Sequence, residues 1–102
     1  MTLVWTEPAV AALAAIRDFI GRDNPFYAGV FAERLILAAE SLHELPERGR
    51  VVPELSRGDV RELLFQRYRI IYRLRPDGVE ILIIVHGARD LSNVPRPPWD
   101  AG

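Results

Sequence analysis

Arg69 and Arg73 stand four residues apart in a run that alternates polar and apolar side chains, and His86 and Arg89 follow a second such run. Alternation at period two places Arg69, Ile71 and Arg73 on one face of a strand, and Glu80, Leu82, Ile84 and His86 on one face of the next. Brought together, Arg69, Arg73, His86 and Arg89 bracket a phosphate. The guanidiniums neutralise charge that develops on a pentavalent phosphorus, and the imidazole moves a proton near neutral pH. That is the chemistry of a ribonuclease that needs no metal. A second reading pairs Arg69 and Arg73 with carboxylates such as Glu62 and Glu80 on adjacent strands and uses His86 to cap a strand end. Both remain open at this point.

Other reactive side chains group less well. Ser41 and His43 lie two apart on a helical pattern and so on different faces, which argues against an activated hydroxyl. Gly58-Asp59 and Asp77-Gly78 read as turns rather than phosphate cradles. The chain has no cysteine, and its two histidines, His43 and His86, are far apart. No metal site and no cofactor is therefore expected.

All 13 basic residues are arginines, and eight of them fall between Arg48 and Arg75. The formal net charge is only −1. The whole molecule thus lacks the electrostatic footprint of a general nucleic-acid binder, and direct sequence-specific DNA binding is not expected. Its middle is nevertheless locally basic. The longest nearly apolar run, Val79 to Val85, is too short to cross a bilayer, and Met1 to Thr6 has no basic start or long apolar segment. A cytoplasmic protein without a membrane partner is expected.

These residues must be positioned by elements that the pattern also predicts. Leu3, Val4 and Trp5 form a β-prone segment leading into Thr6-Glu7-Pro8, where a hydroxyl N-cap and an early proline start a helix. Val10, Leu13, Ile16, Phe19 and Ile20 recur at helical steps and predict a buried stripe. Asn24-Pro25 caps a second helix with Tyr27, Val30, Phe31, Leu35, Ala38 and Leu42 at the same spacing, and Leu45-Pro46 ends it. Phe19, Phe31 and Phe65 read as core, while Trp5 and Tyr72 suit either core or rim. An irregular connection, Glu47 to Ser56, precedes three strands: Val60 to Phe65, Arg69 to Leu74 and Val79 to Val85. Gln66-Arg67-Tyr68 and Pro76-Asp77-Gly78 turn them into an antiparallel meander.

The predicted class is α+β, in the order β-α-α-β-β-β, with the helical hairpin packed on one face of a small antiparallel sheet. The other face is expected to stay open, with its arginines free, and at least one strand edge to invite a partner. Residues 1–91 form the single domain. Residues 92–102, with Pro95, Pro97, Pro98 and Trp99, are expected as an arm or a disordered tail.

Several local patterns resemble the RelE/ParE toxin superfamily, and its ParE branch in particular. They are Trp5-Thr6-Glu7-Pro8-Ala9, Asp23-Asn24-Pro25, and Leu45-Pro46-Glu47-Arg48-Gly49-Arg50. Arg61-Glu62-Leu63, Tyr68-Arg69-Ile70-Ile71-Tyr72-Arg73 and His86-Gly87-Ala88-Arg89-Asp90 complete the set. The resemblance implies the toxin of a type II toxin–antitoxin module, held inactive in a heteromeric complex by a cognate antitoxin. ParE-type members poison DNA gyrase, whereas the RelE branch cuts mRNA on the ribosome. Nuclease members usually carry lysines in the connection and first meander strand and a C-terminal tyrosine; here lysine is absent and Gly87 follows His86. The resemblance therefore favours binding over cleavage, with Arg61, Arg67, Arg69, Arg73, His86 and Arg89 as the surface for target or antitoxin. The alternative, a ribosome-dependent mRNA interferase, would use Arg69, Arg73 and His86.

Overall fold

The computed structural model describes residues 2–100. Strand β1 (Thr2–Trp5) runs into helices α1 (Glu7–Gly21) and α2 (Pro25–Glu40), and a 3₁₀ turn follows at Ser41–His43. The chain then forms β2 (Arg50–Val51), β3 (Val60–Phe65), β4 (Tyr68–Arg75) and β5 (Gly78–His86), and ends in a 3₁₀ turn at Pro98–Asp100.

The helix starts follow from their caps. Thr6 Oγ1 accepts from the Ala9 N–H at 3.4 Å and Asn24 Oδ1 from the Tyr27 N–H at 3.0 Å, each satisfying a donor that the first helical turn leaves free. The inward face of α1 is Ala9, Ala12, Leu13, Ile16 and Ile20, with the alanines allowing close approach to the sheet. Val10 and Phe19, expected in that stripe, are instead 53% and 64% exposed. At 3.6 residues per turn they sit roughly 80–100° to either side of its centre. From α2, Phe31, Leu35 and Ala39 enter the same core, with Leu42 just beyond.

The sheet has five strands in the order β1-β5-β4-β3-β2. The meander is antiparallel as expected, but β1 lies parallel to β5, with Leu3 beside Val79 and Trp5 beside Ile81, so the sheet is mixed. The two helices carry the chain from β1 across the front of the sheet, and the free edge of the β4–β5 hairpin receives β1. The approach is close at Gly78, where a Cβ would lie 2.0 Å from the Thr2 carbonyl oxygen.

Two further departures bear on function. A bulge in β5 interrupts the alternation: Ile71 pairs with Ile83 and Tyr72 with Ile81, so Leu82 has no partner. The Thr6 hydroxyl sits against this bulge, 2.8 Å from the Ile81 carbonyl oxygen and 3.0 Å from that of Leu82. Parity inverts there. Glu80 and Leu82 face the back of the sheet, whereas Ile84 and His86 face the helices, so these four do not share the face that strict alternation predicts.

The back face is also not open. Val60, Ile71, Leu82 and Val85 are covered by Val52 and Leu55 from the connection and by Leu91, Val94 and Trp99 from the tail. Trp99 is only 5% exposed. Proline-rich backbone cannot join a ladder, but it can still bury side chains when its carbonyls find donors. Here Arg73 Nη2 donates to the carbonyls of Pro98 and Trp99, and Arg57 Nη1 donates to that of Trp99. Among the described residues no helix is long and apolar enough to cross a membrane.

Candidate functional site

Arg69 leaves β4 on the back face and is almost wholly buried. Its Nη1 and Nη2 fork onto Glu54 at 2.9 and 2.8 Å, and Nε donates to Glu62 Oε1 at 2.7 Å. Nη1 also reaches the Arg89 carbonyl at 3.0 Å, and Nη2 lies 2.6 Å from Glu62 Oε1. Every nitrogen of the guanidinium is thus occupied. Glu62, whose side chain is fully buried, takes a second guanidinium, Arg50 Nε at 2.6 Å on Oε2. Two arginines and two glutamates make a neutral cluster that ties the connection, β3 and β4 together. The Leu91 N–H, donating to Glu54 Oε2 at 3.0 Å, draws in the start of the tail.

The electrostatics agree with the geometry. The hydrogen bonds from Arg69 pull the Glu54 carboxyl from its ordinary 4.5 down to about 2, and Glu54 in turn raises the Arg69 guanidinium above its already high value.

The remaining candidates divide by direction. Arg73 is buried against the tail carbonyls. Arg61 donates from Nη1 to the Gly49 carbonyl at 3.2 Å, and its Nη2 lies 3.9 Å from Glu47. Arg67, His86 and Arg89 are exposed. They meet at one corner, where the Gly87 N–H donates to the Arg67 carbonyl at 2.7 Å and the Arg89 N–H to the His86 carbonyl at 3.0 Å. His86 Nδ1 accepts from the Ala88 N–H at 3.1 Å, which fixes the ring at the strand end, and the ring packs edge-on against Tyr68 at 5.8 Å. A cleft of about 410 Å³ opens beside this corner, lined by Arg50, Glu54, Arg67, Tyr68, Arg69 and His86 among others.

The triad Arg69, Arg73 and His86 is therefore not assembled. Arg69 and Arg73 leave β4 on the back and are occupied; His86 leaves β5 on the helix side, and although it borders the same cleft as Arg69, the nitrogens of that guanidinium are already held. Of the two readings open in the sequence, the pairing of Arg69 with Glu62 is the one present. Arg73 does not take Glu80, which is held instead by Arg75 Nε at 2.7 Å. Sequence reasoning missed Glu54, since it lies in an irregular segment where no register predicts a neighbour. The available signal was chemical: a buried arginine in a strand facing two directions requires more than one acceptor.

Among the described residues no group of three or more His, Asp or Glu side chains is placed to hold a metal ion.

Comparison with known proteins adds a second line. A family model described as "ParE toxin of type II toxin-antitoxin system, parDE" matches residues 3–91. The protein named Toxin RelE2 of Caulobacter vibrioides is 46% identical over 88 residues, which span 85% of this chain and 96% of that protein. A solved structure titled "Chromosomal ParDE TA system from P. aeruginosa" superposes with a TM-score of 0.73 at 25% identity, covering 84% of this chain and 95% of that one.

Proposed function

The chain belongs to the ParE toxin family of type II toxin–antitoxin systems, and on that premise we propose that it acts by binding and inhibiting DNA gyrase through the Arg67, His86 and Arg89 corner. As the toxin of such a system it has an antitoxin as partner. Gyrase as target rests on the resemblance to ParE-type toxins. What supports binding over phosphate chemistry is the state of Arg69, whose three nitrogens are all held by Glu54, Glu62 and a backbone carbonyl. A guanidinium in that state has no donor left to offer a transition-state phosphate.

The corner behaves differently. Its two arginines are solvent-exposed on the turns that flank the end of β5, an arrangement suited to an acidic macromolecular surface. We assign antitoxin neutralisation to the helical layer, where Val10, Phe26 and Leu37 are exposed and suit the apolar face of an amphipathic helix. Leu13, which faces the core, does not contribute. An added antitoxin strand fits beside β3, since β2 pairs only with Arg61 and Glu62 and leaves the outer edge of residues 63–65 without a strand neighbour.

The test runs two assays on one preparation of antitoxin-free protein, gyrase supercoiling and cleavage of translated mRNA. Inhibition of supercoiling without cleavage is expected. Cleavage of mRNA with gyrase unaffected would overturn the proposal in favour of an interferase.

A further inference from the structure

The back face of the sheet presents an apolar hole bordered by two cations. Val60, Ile71, Leu82 and Val85 form its floor, and Arg57 and Arg73 stand at its rim. The chain's own Trp99 fills the hole, and its neighbours supply the polar contacts. Arg73 reads the carbonyls of Pro98 and Trp99, and Arg57 reads the Trp99 carbonyl and the Asp100 carboxylate, each at 3.2 Å. The carbonyl contacts come from the backbone of the 3₁₀ turn and do not depend on side-chain identity; the ring and the carboxylate are what distinguish this segment.

The strap that makes these contacts differs from the rest of the fold. It forms no strand, and Ser92, Asn93, Pro95 and Arg96 between Leu91 and the 3₁₀ turn are exposed. The family match ends at residue 91, before the strap begins. We infer that this face is a peptide-accepting socket, closed in cis by residues 97–100, and that it fits a protein partner presenting an aromatic ring followed by a carboxylate. A short tether gives the tail an effective concentration on the order of millimolar, so an outside segment enters only when it outcompetes that value. The strap thereby sets a threshold for the partner and keeps Arg73 covered until it is displaced, while Arg57, forked onto Asp59, stays partly exposed.

The full-length chain carrying Trp99→Ala, whose cis occupant has lost its ring, is titrated with a fluorescent peptide of residues 92–100. The peptide is expected to bind this variant at least about tenfold more tightly than it binds the unaltered chain. A second titration of Trp99→Ala with a peptide in which Trp99 is replaced by alanine is expected to show no binding. Absence of binding to a folded Trp99→Ala chain overturns the inference. Failure of that variant to fold also overturns it, because the strap would then be an obligatory part of the core. A dimer of the unaltered chain in light scattering that Trp99→Ala abolishes overturns closure in cis, since the socket would then hold the tail of a second copy.

Discussion

Arg69 illustrates how a buried charge is tolerated. Removing a guanidinium from water is costly unless its donors are satisfied, and here a bidentate carboxylate, a second carboxylate and a carbonyl satisfy them. Arg69→Ala would leave Glu62 with one of its two arginines and Glu54 with only the Leu91 N–H. We expect a loss of about 3–5 kcal/mol in urea unfolding, against less than about 0.5 kcal/mol for the exposed Arg67→Ala. The same cluster sets an acid limit. The folded Glu54 carboxyl titrates near 2 and the unfolded one near 4.5. Its contribution is therefore complete above about 4.5 and is lost as pH falls toward 2, by up to about 3 kcal/mol. Urea midpoints compared at about pH 6 and about pH 3 should show the decline, and Glu54→Gln should remove that part of it. The pairing of Arg69 with Glu62 was legible from strand parity. Glu54 and Arg50 were not, because their positions depend on the path of an irregular connection.

Among the elements, the junction of β1, α1 and β5 does most to place the exposed corner. Thr6 caps α1 and at the same time touches the carbonyls of the β5 bulge. Thr6→Ala should cost about 1–2 kcal/mol, more than a cap alone in a peptide helix, measured by thermal or urea unfolding. Downstream of the bulge, Ile84 and His86 turn to the helix side, which puts His86 beside Tyr68. The caps, the hairpin turns and the meander were readable because each depends on a few adjacent residues. The bulge was not: Leu82 is an ordinary strand residue, and only the docking of Thr6 from far along the chain distinguishes it. The parallel pairing of β1 is likewise a long-range outcome. Val10 and Phe19 were misplaced for a different reason, since an apolar residue at helical spacing can lie on either flank of the stripe as well as in it.

Over the whole molecule, the two-layer expectation captured the helical side and missed the back. Leu91, Val94 and Trp99 are sparse among prolines and polar residues, so no periodicity marks them as core, yet they complete a second apolar cluster. As a consequence Arg69 and Arg73 are buried on the back, while Arg61 lies on the other side of β3 against Gly49 and Glu47, so the expected bare arginine face is absent among the described residues. The family assignment stands independently of it, and of the six candidate side chains Arg67, His86 and Arg89 remain exposed. Binding through so small a cationic patch should be governed by long-range attraction. The association rate with gyrase should fall about tenfold or more between about 0.05 and 0.5 M salt, with a smaller change in dissociation, as followed by surface plasmon resonance.

The most direct test of the account is the amount of toxin needed to half-inhibit supercoiling by gyrase, compared between the unaltered chain and Arg67→Ala/Arg89→Ala. The double variant should unfold at the same urea concentration yet require at least about tenfold more protein. Equal potency of the two chains, or no inhibition by either, would contradict it.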